Sequence, residues 1–208
     1  MAFFDNNTKK TKIFRADNEE DSDIKIFSSS KFKKKKEIDT SLVEIDEELA
    51  IQSYNGNISK AKDLGSILAQ MTSKEKDNID KLIISDKIKK DENFLNQIDL
   101  LFVFTIIIGL DLFLQSHLIA RTAMAKFYYD LQNDWPEIYS KLENSAAFSF
   151  YFLDIRRGLN DTDKKIGESF AMMCFQKNDK IYAEQGKLFY NIFLGKVKKI
   201  INEINFSK

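Results

Sequence analysis

Between Asp91 and Asn133 the chain contains no proline and one glycine, Gly109, and within that span Leu100 to Leu114 (LLFVFTIIIGLDLFL) is apolar on nearly every side. A proline-free run of about 40 residues can form a helix roughly 60 Å long, opened by Asp91 as its N-cap. Such length invites a break, either near Gly109 or at the polar Gln115-Ser116-His117. A helix that is apolar all round must be enclosed by other helices or by lipid. The 15 residues from Leu100 to Leu114 fall short of the roughly 20 that span hydrocarbon, and Asp111 shortens the stretch further. A buried central helix is therefore expected, and membrane insertion is disfavoured.

The rest of the chain points the same way. One proline and seven glycines in 208 residues are too few for the sharp turns of an all-β fold. Ser41-Leu-Val-Glu44 reads as a capping box opening a helix with Leu42, Ile45 and Leu49 on one face, up to the Asn55-Gly56 turn. A second helix is predicted over 58–71 with Ala61, Leu64 and Leu68 inward. A second box, Thr72-Ser-Lys-Glu75, would open a third carrying Ile79, Leu82, Ile83 and Ile88. Asp134-Trp-Pro-Glu137 predicts a helix running to Arg157 before Gly158. Within it Phe148, Phe150 and Phe152 alternate as in a strand, while Ile138, Leu142, Ala146, Ser149 and Leu153 repeat as in a helix, and helix is preferred. Asn160 and Asp161 should cap a helix to about Lys177. A last helix is expected from Lys180 to Ile204, with Ile181, Leu188, Phe189, Ile192, Phe193, Val197, Ile200 and Ile201 on its apolar face. The predicted fold is an all-α bundle of about six or seven helices over 41–208.

Residues 1–40 differ. They are poor in aliphatic side chains and carry two opposed charge blocks, Glu19 to Asp23 and Lys31 to Lys36. Too little apolar surface is available there to offset the entropy of ordering, so a flexible, disordered arm is expected.

Lysine plus arginine (32) equals aspartate plus glutamate (32), which removes any global pull toward nucleic acid or anionic lipid. Cys174 is the single cysteine and His117 the single histidine, so no thiolate-rich or multi-imidazole metal site can form, and no cofactor motif is legible. Cys174 lies among Met172, Met173 and Phe175, a setting that makes a thiol an inert core residue rather than a nucleophile. The lone cysteine and the absence of a signal-like apolar segment at Met1 suit a reducing cytoplasm.

Three functional readings remain. The first is a non-catalytic adaptor, regulator or scaffold whose body self-associates or binds another protein. It rests on abundant aromatic and aliphatic surface beside an absence of catalytic motifs. The second is binding of nucleic acid or an anionic surface through Lys31, Lys33, Lys34, Lys35 and Lys36 together with Arg156 and Arg157, whose guanidinium forks suit carboxylates or phosphates. The third is a small-molecule enzyme or sensor with Asp111, His117 and Arg121 lining an interhelical pocket, Asp111 being a carboxylate that must be paired, protonated or turned to water.

Overall fold

The computed structural model describes residues 40–74, 79, 81–83, 88, 91–143, 145–157 and 161–207, without the side chains of 40–43, 73 and 74. The expected arm lies outside the described residues except for Thr40. Eight helices are described: α1 (Thr40–Tyr54), α2 (Asn57–Lys74), α3 (Glu92–Phe113), α4 (His117–Asp134), α5 (Pro136–Glu143), α6 (Ala147–Arg157), α7 (Thr162–Met173) and α8 (Lys180–Glu203). Among the described residues there is no strand, so the ambiguous run at 148–155 is helical.

Asp91 starts the central helix as expected. Its Oδ1 accepts from the amides of Asn93 and Phe94 at 3.0 and 3.2 Å, and its Oδ2 accepts from the Tyr182 hydroxyl of α8 at 2.7 Å. Both carboxylate oxygens are used, so one residue caps α3 and fixes α8 beside it. α3 is then buried without interruption from Gln97 to Leu110. Its aromatic side chains go to different neighbours: Phe94 meets Phe170 and Tyr182 edge-on at 5.4 and 5.6 Å, Phe102 lies 4.5 Å from Phe193, and Phe104 packs on Phe148, Tyr151 and Phe152. Helices on several sides explain why the sequence of α3 shows no polar stripe. By length and composition α3 could cross a membrane, yet most of its apolar surface is covered here by protein.

Two close helix pairs flank α3. α2 runs against α4 and α7 against α8, and each pair meets at a glycine: a side chain on Gly65 would strike the Ala123 carbonyl, and one on Gly167 the Ala183 carbonyl. The short α5 and α6 close the remaining side of α3.

The central run breaks at Leu114 to Ser116, the polar one of its two expected places, and several other boundaries differ from expectation for identifiable reasons. Ser116 Oγ caps α4 by accepting from the Ile119 amide at 3.3 Å, while Gly109 stays helical and lets Val197 of α8 approach. Asp134 is the last residue of α4, not a cap. Trp135 ends that helix through its amide to Leu131, and its carbonyl accepts the first amides of α5, Ile138 and Tyr139. The helix expected over 134–157 is two helices, because the Ser145 hydroxyl oxygen accepts from the Ala147 amide at 3.1 Å and restarts the chain as α6. Thr72 opens no helix: it is buried within α2 and its hydroxyl donates to the Leu68 carbonyl at 3.1 Å. Most of the helix predicted to follow it lies outside the described residues, although Ile79, Ile83 and Ile88 are buried.

α7 stops at Met173, short of Lys177. The amides of Phe175 and Gln176 turn back to the carbonyls of Met172 and Ala171, and Phe175 takes φ +59° to do so. Asp161 precedes α7 without a side-chain cap bond, and Asn160 and Gly158 lie outside the described residues. On α8 the wide apolar face narrows, since Ile181 and Leu188 are exposed. α1 departs furthest: it begins at Thr40, so Ser41 already lies within the helix, and Ile45 and Leu49 face solvent.

Candidate functional site

Asp111, His117 and Arg121 stand around the corner between α3 and α4, and all three are exposed. His117 and Arg121 share a face one turn apart, but Asp111, turned to water at the end of α3, does not join them in an enclosed pocket. The buried carboxylate of the central helix is Asp99 instead. It pairs with Lys141 of α5 at 3.1 Å, and that partner sits 42 positions away. The lysines at 31 and 33–36 lie outside the described residues. Cys174 is buried, and burial, followed by the nearby Asp91 charge, pushes its thiol far above the ordinary range. It is a core residue and stands apart from the exposed His117. Among the described residues no group of three histidine, cysteine, aspartate or glutamate side chains is placed to hold a metal ion.

Arg156 and Arg157 occupy the exposed last turn of α6, where the helix dipole favours cations. The inner face of α6 carries Ala147 and Tyr151, both fully buried, with Phe148 packed beside them. Its outer face carries Phe150 and Leu153, each 38% exposed, while Phe152, 39% exposed, packs at the flank of the helix against Phe104. Phe150, Leu153 and Arg157 follow one another at helical spacing, so the apolar patch runs directly into the arginines. Glu143, exposed at the end of α5, comes shortly before α6 in the chain.

Behind α6, toward α7, lies a polar cleft of about 440 Å³ whose lining includes Asp154, Lys165, Ser169 and Lys177. Burial raises the Asp154 carboxyl above its usual range, against the opposing effects of a Ser169 hydrogen bond and of Lys165 and Arg157. The Tyr151 hydroxyl is buried without a hydrogen-bond partner, and burial pushes it well above the phenol range.

A larger cleft, about 810 Å³, opens at the other end of the body beneath α1. Its walls include Glu48, Asn57, Phe113, Ser116, Ile201 and Phe206. Asn57, only 2% exposed, is a residue that sequence reasoning passes over as the position following a turn. Its Nδ2 donates to the Ser207 carbonyl at 2.8 Å and its Oδ1 accepts from the Ser207 amide at 2.9 Å. The one signal that could have revealed it is the Asn55-Gly56-Asn57 triplet, where the final amide side chain follows a turn and enters the body.

No protein-family model, no curated protein and no solved structure matches this chain.

Proposed function

We propose that this protein is a non-catalytic interaction protein, an adaptor or scaffold, and that the outer face of α6 is its contact surface. The observation that carries this reading is the pair of exposed Phe150 and Leu153 leading into Arg157, with Arg156 beside it, on one short helix. A monomer seldom leaves adjacent aromatic and aliphatic side chains uncovered on one ridge, whereas interfaces combine such anchors with arginine. The first partner is a second copy of the chain. Antiparallel pairing of two α6 helices would bring Arg156 and Arg157 of each toward Glu143 of the other, matching charge at both ends. Two partly exposed side chains fall well short of the roughly 800 Å² per partner of a stable interface, so the association is weak and concentration-dependent. The single buried cysteine suits action in a reducing cytoplasm.

Light scattering across a concentration series tests this directly. The apparent mass should rise toward twice the monomer value in the high-micromolar range, and Leu153→Glu should hold it at the monomer. Glu143→Arg should weaken association, and adding Arg157→Glu should restore it. A constant monomer mass at every concentration would sink the self-association. Nucleic acid that co-elutes and is lost with Lys33 to Lys36 changed to alanine would replace this reading with the lysine-run alternative.

A further inference from the structure

We propose that the cleft under α1 is a second binding site, one for an extended polypeptide segment, and that α1 is a lid over it that turns about Asn55 and Gly56. The reasoning begins with what already lies there. After α8 the chain turns at Asn205, φ +51°, and runs along the cleft wall. The Asn57 side chain grips the main chain at Ser207 through both its donor and its acceptor, and Lys60 Nζ donates to the Asn205 carbonyl at 2.8 Å. Phe206 packs against the core between those two grips. Backbone read by amide groups, with an intervening side chain laid on an apolar surface, is how extended peptides are recognised.

The rest of the cleft repeats that chemistry beside the tail. Phe113, Leu114, Ile119 and Ile201 make an apolar floor, and Gln52, Gln115, Asn202 and Asn205 supply a rim of amides. A volume of about 810 Å³ falls within the roughly 300–1,000 Å³ of ligand sites. Among the described residues Glu48 is the one charged side chain on the lining, so the segment that fits is largely apolar and carries a lysine or arginine.

α1 meets this cleft through Glu48 and Gln52, its two described residues on the lining. Among its described side chains none is buried, and Glu48 and Gln52 are the half-buried pair that faces inward. Two hydrogen bonds hold them: Ser116 Oγ donates to Glu48 Oε1 and Asn57 Nδ2 to Gln52 Oε1, each at 2.6 Å. Gly56, at φ +73° and with open space around it, joins this helix to α2. When the lid lifts, Glu48 exchanges the Ser116 hydroxyl for the cation of the incoming segment.

Full-length protein carrying Glu48→Cys and Ser116→Cys tests the proposal, because oxidation locks the lid and reduction frees it. A display library of linear peptides panned on the unsubstituted protein is the probe. It should enrich apolar sequences with one basic residue, which the reduced double-cysteine protein, lacking the Glu48 carboxylate, should bind more weakly and the oxidised one at least about tenfold more weakly again. Gln115→Ala with Asn202→Ala, changes at two exposed rim positions that leave the lid alone, should weaken the same peptides, whereas Leu153→Glu on α6 should leave them bound. Failure to enrich any peptide overturns the proposal, as does binding that ignores both the lock and the rim. Loss of binding through Leu153→Glu assigns the peptides to α6 and overturns it equally.

Discussion

α8 buries Phe189, Phe193, Val197 and Ile201 against α3 and α7, whereas α1 leaves Ile45, Leu49, Ile51 and Tyr54 in solvent and turns Glu48 and Gln52 toward the body. Both helices offer apolar residues at helical spacing. An apolar stripe is stabilising only where another apolar surface faces it, and α8 has the aromatic face of α3 while the ground under α1 is already partly covered by Phe206. The difference lies in what each helix meets, not in the helix itself.

The largest test of that contrast is Phe193→Ala. Phe193 stacks on Phe189 at 5.5 Å and touches Phe102, so its removal leaves a cavity and should cost about 3–5 kcal/mol in urea unfolding. Asp91→Ala comes next, at about 2 kcal/mol, since it removes the cap of α3 and strands the buried Tyr182 hydroxyl. The same contact sets an alkaline limit. Burial, then the hydrogen bond to Asp91, pushes Tyr182 from 10 up to about 12. The neutral phenol belongs to the folded state, so its contribution is complete below pH 10 and disappears as pH climbs through about 12. Melting temperature should therefore decline over that window, and less steeply in Tyr182→Phe; Tyr128, Tyr151 and Tyr190, also raised by burial, sustain the remaining slope.

Smaller effects are expected at the approach to α8 and on α1. Phe175 is 85% exposed and held at φ +59°, a conformation that favours glycine, so Phe175→Gly should stabilise the protein by up to about 1 kcal/mol. Leu49→Ala should change stability by no more than about 0.5 kcal/mol. A cost of several kcal/mol at Leu49 would mean that α1 is packed as firmly as α8, and the contrast would collapse.

The central helix, the Asp91 cap and the extent of α8 were legible because each depends on local signals: continuous apolarity, a cap residue and a sustained helical period. What was not legible depends on distant residues. Asp111 draws attention by interrupting the longest apolar run, yet Asp99 is the buried carboxylate because Lys141 reaches it from another helix. The break at Ser145 and the continuation through Thr72 turn on whether a hydroxyl meets the backbone ahead of it or behind it, which spacing alone does not decide. Of the candidate surface, Arg156 and Arg157 were readable as a helix end. The alternation of Phe148, Phe150 and Phe152, a conflict between strand and helix in the sequence, reflects a helix with apolar residues on both faces. The Asn57 grip and the exposed side of α1 needed the tertiary fold.

The hydrogen bonds between Asn57 and Ser207 join positions 150 apart in the chain and stitch the start of α2 to the tail beyond α8. The order of assembly follows from that. α7 and α8 are neighbours in sequence and can pair early, but closing a loop of this length costs more entropy than any local turn and yields little until both ends are already in place. The seam at Asn57 is therefore the last part of the body to zip shut, and Asn57→Ala should speed unfolding while leaving the refolding rate nearly unchanged.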